Sequence, residues 1–141
     1  MTFRDALPAD APGVRDLIHQ LGYPDIDERG VVEKIHLHQQ ETYRILVAEE
    51  GTRIVGFLAL HWAEVPHRNG KIGRVTAMCT NETVRSKGIG GKMLKEAESI
   101  LLSQGCYMVE VTSNNRRGGA HAFYLRQGYE ETSKRFVKNL K

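Results

Sequence analysis

Nine consecutive residues, Val84-Arg85-Ser86-Lys87-Gly88-Ile89-Gly90-Gly91-Lys92, interleave glycines with the cations Arg85, Lys87 and Lys92. Glycines let backbone N–H groups turn outward and let a ligand come close to the chain. At a helix start those N–H groups are unpaired and lie at the positive end of the helix dipole. The combination suits phosphate oxygens, with the three side chains adding charge around them. Two other phosphate loops fit poorly. A nucleotide-hydrolase loop ends in Gly-Lys-Ser/Thr, whereas Gly91-Lys92 is followed by Met93. A dinucleotide fingerprint needs a third glycine where Met93 stands.

Other candidates are single side chains. Glu110 alternates with Val109 and Val111 on an expected strand, so it faces away from them. A carboxylate there accepts a proton through water if it faces a cleft, or forms a salt bridge if it faces solvent. Cys79 has no histidine partner nearby in sequence and reads as a small apolar filler. His36 and His38 are two apart on an expected helix, do not share a face, and make no metal site. His121 reads first as helix surface.

The elements that must position these residues follow from periodicity. Thr2 to Leu7 reads as a short strand. Asp10 is the expected N-cap of a helix carrying Val14, Leu17, Ile18 and Leu21, closed at Gly22-Tyr23-Pro24. Asp27 is expected to cap a second helix with Val31, Val32, Ile35 and Leu37. Ile45–Ala48 and Ile54–Trp62 form a hairpin about Glu50-Gly51-Thr52, and Asn69-Gly70 turns into a strand from Lys71 to Cys79. Ile89, Met93, Leu94, Ala97, Ile100 and Leu101 mark a long helix closed by Gly105. Tyr107–Thr112 is a strand, Ala120–Gln127 a short helix closed by Gly128, and Tyr129 to the end one or two last strands. Helices and strands share one stretch without boundaries. The expectation is an α+β (mixed α/β) class in one domain over residues 1–141.

Arg85-Ser86-Lys87-Gly88-Ile89-Gly90, between a strand and an amphipathic helix, resembles the pyrophosphate motif R/Q-x-x-G-x-G/A of the GNAT superfamily of N-acetyltransferases. Ala120-His121-Ala122-Phe123-Tyr124-Leu125-Arg126-Gln127-Gly128-Tyr129 resembles that family's A-x-x-F/L-Y-x-x-x-G-F/Y segment. The resemblance implies a mostly antiparallel twisted sheet flanked by helices, with a splayed strand pair holding acetyl-CoA. It implies that Met78, Cys79 and Thr80 pair by backbone with the pantetheine arm, and that Ser86, Lys87, Gly88, Ile89, Gly90 and Gly91, with Arg85, cradle the pyrophosphate. It implies Tyr124 as the acid that protonates the departing thiolate, and Glu110 as a base. Counting forward from Glu110 puts Asn115 at the family's cofactor-touching Asn; counting back from Tyr124 puts Arg117 there. Glu82 stands where many members have Pro, and Thr80 where Val is common.

Acetyl transfer requires a neutral amine, a donor for the thioester oxygen and a proton for the thiolate. A phenol, with a pKa of about 10, suits the last. The expected product is an N-acetylated small-molecule or peptide amine; a non-catalytic acetyl-CoA sensor is the alternative. The acceptor is expected between Leu21-Gly22-Tyr23-Pro24-Asp25, Trp62–His67 and the C-terminus, where Asp25, Asp27, Glu28 and Glu64 suit a cationic amine. A net charge of +3 is too small to argue for nucleic acid by itself, and no nucleic-acid partner is expected. Lys134, Arg135, Lys138 and Lys141 carry no recognition signature. No apolar run approaches the roughly 20 residues of a membrane span. The N-terminal residues lack a signal peptide's apolar stretch, so a reducing cytoplasm is expected. No metal is expected, and homodimerisation is left open.

Overall fold

The computed structural model describes residues 1–85, 87–112 and 118–141. Five strands form one sheet in chain order: β1 (Thr2–Asp5), β2 (Tyr43–Glu50), β3 (Arg53–Glu64), β4 (Lys71–Thr80) and β5 (Cys106–Val111). β1 to β4 are antiparallel, and β5 runs parallel to β4. The helices are α1 (Ala11–Leu21), α2 (Glu28–Leu37), α3 (Ile89–Ser103) and α4 (Gly118–Arg126). α3 is the crossover that a parallel pair requires.

Two cores lie on the two faces of the sheet. On one, α3 buries Met93, Leu94, Ala97 and Leu101 against Leu46, Leu58, Leu60 and Val75. On the other, Val14 and Leu17 of α1 and Val31 and Ile35 of α2 pack on Ile45, Val47, Phe57 and Ala59. Period-two alternation along β3 distributes Phe57 and Ala59 to one face and Leu58 and Leu60 to the other. α3 approaches β4 so closely that a Cβ on Gly73 would sit 2.6 Å from the Leu101 methyls. α4 joins the α3 side through Phe123 and Tyr124.

Most boundaries agree with the sequence expectations. Gly22, at φ 112°, ends α1, and Asp27 caps α2 by accepting from Gly30 N at 2.8 Å. Two expectations are corrected. Asp10 makes no side-chain cap to α1. Its carboxylate instead accepts from Leu7 N at 2.7 Å and from both terminal nitrogens of Arg4, because the guanidinium is a stronger partner than a helix amide. The residues from Tyr129 onward form no strand. Phe136 and Leu140 are exposed, so alternation there is not accompanied by a buried face, and that is what strand pairing needs.

Candidate active site

The glycine loop meets the start of α3 as its composition requires. Gly88 is the N-cap at φ 77°, a left-handed conformation that side chains disfavour. The first intrahelical bond of α3 runs from Lys92 N to Gly88 O, 3.2 Å. The N–H groups of Ile89, Gly90 and Gly91 therefore precede the helical ladder. A Cβ on Gly88 would meet nothing within 4 Å, so the space over this turn is open. On Gly90 it would come 3.5 Å from the Phe123 ring of α4, and on Gly91 3.3 Å from Gln127. The glycines thus leave the space over the turn open at Gly88 and allow the close packing of α4 on α3 at Gly90 and Gly91. Arg85 folds back, its Nε donating to Thr80 O at 3.4 Å. Ser86, Asn115 and Arg117 lie outside the described residues.

β4 and β5 part beside this cradle. Their parallel register runs from Lys71 opposite Cys106 to Val75 opposite Val111, where it stops. β4 continues to Thr80 paired only with β3, through Ala77–Ala59, Met78–Leu58, Cys79–Phe57 and Thr80–Gly56. The edge of Met78, Cys79 and Thr80 turned away from β3 has no strand on it among the described residues. Thr76 is an extra residue opposite the Ala59–Leu60 step, a bulge that shifts the register just before the parting. The Cys79 side chain is buried with Phe57 and Ala59 on the α1–α2 side, as a small filler.

A cleft of about 610 Å³ passes through the gap. Its floor crosses four strands, at Ile45, Phe57, Ala77 and Val111. Tyr124, Ala120 and Thr112 close it on the β5 side, and Leu21, Tyr23, Pro24, Asp25, Lys34 and His38 on the α1–α2 side. The Leu21–Asp25 connection therefore lines the cleft as the sequence suggested. The Trp62–His67 segment and the C-terminus do not line it. Lys34 and His38 were not anticipated, although their spacing from Val31 puts them on one helix face.

Tyr124 is half-buried, with its ring 5.3 Å from Phe123 and 6.0 Å from Tyr129, both edge-on. Tyr129 donates to Glu98 of α3 at 2.7 Å, and its backbone N donates to Tyr124 O at 3.1 Å. Burial, reinforced by the Glu98 hydrogen bond, raises the Tyr129 hydroxyl well above an ordinary phenol. It stays a neutral donor that pins the end of α4 to α3 and so positions Tyr124. Glu110 lies opposite Arg74 on the parallel ladder and pairs with it at 2.9 Å. It is not among the cleft-lining residues. His121 contacts Glu131 at 2.7 Å on the surface. Among the described residues no group of three or more His, Cys, Asp or Glu is placed to hold a metal. No helix among them is long and apolar enough to cross a membrane.

A family model described as an acetyltransferase (GNAT) domain matches residues 41–131. This chain belongs to the GNAT acetyltransferase family. The match takes in the strand, cradle, splay and Tyr124 helix together. The chain is 33% identical over 87 residues to the aminoalkylphosphonate N-acetyltransferase of Salmonella typhimurium, an alignment covering 62% of this chain and 56% of that relative. The match thus spans little more than half of that relative's length. It is 27% identical over 138 residues to the uncharacterized N-acetyltransferase YhfO of Bacillus subtilis, covering 93% and 91% of the two chains. The fold is that of the aminoglycoside N-acetyltransferase AAC(6')-Iy in complex with CoA, with a TM-score of 0.86 at 13% identity over 98% and 93% of the chains. An acyltransferase domain of mixed α/β architecture is the shared description.

Proposed function

We propose that this protein transfers the acetyl group of acetyl-CoA directly to a primary amine of a small molecule or peptide. The observation that carries the reading is the cleft through the β4–β5 gap, walled on its far side by α1–α2, with the α3 N-terminus against the end of β4, where a Cβ on Gly90 would lie 3.8 Å from Thr80. Bound acetyl-CoA would supply an activated thioester. The N–H groups of Ile89, Gly90 and Gly91 suit its pyrophosphate, with Arg85, Ser86 and Lys87 as neighbours in the same loop. The open edge of Met78, Cys79 and Thr80 suits an extended arm, and an N–H there suits the developing charge on the carbonyl oxygen. Asn115 and Arg117 remain the alternatives for a further cofactor contact.

Tyr124 is proposed as the acid that delivers a proton to the departing thiolate, since it lines the cleft from the β5 side. Glu110 is proposed as a base acting through water. To take a proton it must do so with a carboxylate already shared with Arg74. The reading includes a cytoplasmic setting and no nucleic-acid, membrane or metal partner.

A thiol-release assay with purified protein, acetyl-CoA and an amine panel tests the reading. The panel begins with aminoalkylphosphonates, the class named for the Salmonella relative. Amine-dependent release of thiol is the expected result. Binding of acetyl-CoA without release on any amine would instead favour a sensor.

A further inference from the structure

We propose that the acceptor amine carries an acidic group, and that Lys34 and His38 bind that group at the α2 end of the cleft. The proposal rests on the acetyltransferase reading. Lys34, in the last turn of α2, and His38, its C-cap, lie four residues apart and both line the cleft. Lys34 makes no ion pair among the described residues. His38 Nδ1 lies 2.8 Å from Lys34 O. A carbonyl only accepts, so Nδ1 carries a proton; Nε2 then donates to an acidic group when the ring is the imidazolium, the form that binds an anion. The His38 ring is held edge-on to Tyr43 at 5.4 Å, and Tyr43 stacks on His61 at 5.1 Å. The imidazole is therefore fixed before any ligand arrives.

The surrounding charges favour an anion here. Of the four carboxylates that suggested a cationic substrate, Asp27 is committed to capping α2, and Glu28 and Glu64 do not line the cleft. Asp25 alone lines it, at an exposed position on the α1–α2 connection. Against it stand Lys34 and His38, which both line the cleft; His61 and Arg74 do not line it, and Arg74 is paired with Glu110. The spacing limits ligand length. From the parting edge of β4 to β2 is two strand intervals, about 10 Å, and the Lys34 side chain spans part of that. An amine joined to a carboxylate or phosphonate by a short aliphatic spacer fits, and the apolar floor of Ile45, Phe57 and Ala59 suits the spacer.

The test compares kcat/KM for 2-aminoethylphosphonate and β-alanine with that for propylamine, in the native protein and in Lys34→Met, Lys34→Arg and His38→Gln. The native protein should prefer the acidic amines. Lys34→Met should cut that preference by roughly 10- to 100-fold, the worth of a charge-assisted hydrogen bond, mainly through KM. Lys34→Arg should retain most of it, and His38→Gln should lose part. Which acid is preferred separates phosphonate from carboxylate. No preference in the native protein, or a proportionate loss on propylamine, would overturn the proposal. Calorimetric titration of 2-aminoethylphosphonate keeps the two readings apart. If no amine releases thiol, the acetyltransferase reading falls. Binding that disappears in Lys34→Met still supports the acid subsite, and absent or Lys34-independent binding defeats it.

Discussion

Tyr124 and Glu110, the proposed acid and base, differ in their surroundings, since only Tyr124 lines the cleft, and substitutions should separate their roles. Tyr124→Phe keeps the ring between Phe123 and Tyr129 and removes only the hydroxyl. The expected result is near-native acetyl-CoA binding with kcat lowered roughly 10- to 10³-fold, on the scale of a lost acid. Equal kcat would make Tyr124 a packing residue. Glu110→Gln should lower kcat/KM near neutral pH if Glu110 accepts the amine proton, and the loss should shrink toward pH 9.5 as more amine arrives neutral. The ion pair adds a condition absent from the sequence reading: Arg74→Met should alter the same profile, because it changes the charge beside the carboxylate. A loss that stays constant with pH in Glu110→Gln would leave Glu110 as the anchor of Arg74.

At the scale of elements, the glycines of the α3 N-terminus meet two different structural demands. Gly88 needs its left-handed backbone, whereas Gly90 needs room beside Phe123. Acetyl-CoA should raise Tm of the native protein, since a ligand bound only to the folded state stabilises it. Gly88→Val should reduce or abolish that shift by straining the turn that presents the N–H groups. Gly90→Leu should do so while also pushing α4 away, which would carry Tyr124 with it. Thermal unfolding with and without acetyl-CoA checks both, and an undiminished shift in the two variants would remove the loop from the site. The parting of β4 from β5 is likewise an element-scale device. Register ends at Val75–Val111, and beyond it the β4 edge carries no strand among the described residues, the edge proposed for the pantetheine arm.

Across the whole molecule, the N-terminal strand is tied in by one charged cluster. Arg4 bridges Asp10 at 2.8 Å and Glu49 at 3.1 Å, joining β1, the turn before α1 and β2. The Arg4 hydrogen bonds, with Leu7 N–H, hold the Asp10 carboxyl below its ordinary 3.8. Its folded pKa is depressed, so its contribution is complete above about 3.8 and is lost as pH falls through the lower folded value. Asp10→Asn should cost about 1–3 kcal/mol at pH 7 by leaving Arg4 under-partnered. The difference from the native protein should narrow on acidification below pH 4. Urea unfolding at pH 7 and pH 3 measures both, and a pH-independent difference would assign the cost to packing.

The local geometry of the candidate site was legible in the linear order of residues. A helix start with exposed backbone N–H groups needs only glycines at the right place, and Gly88 does stand at the N-cap of α3. Asp27 as a cap and Gly22 as a terminator are also local, since each acts within four residues. The neighbours supplied by other elements were not legible. Asp10 is a plausible cap until Arg4 competes for it; Tyr129 looks like the start of a strand until α3 offers Glu98; Glu110 has no identifiable partner until β4 brings Arg74 alongside. Lys34 and His38 are ordinary surface residues of a short helix until the sheet floor passes beneath them. Periodicity states which face a residue occupies but not what that face meets. What it meets here depends on the chain order of the strands, the bulge at Thr76 and the point where β5 stops following β4, and these arise only when the two cores pack on opposite faces of one sheet.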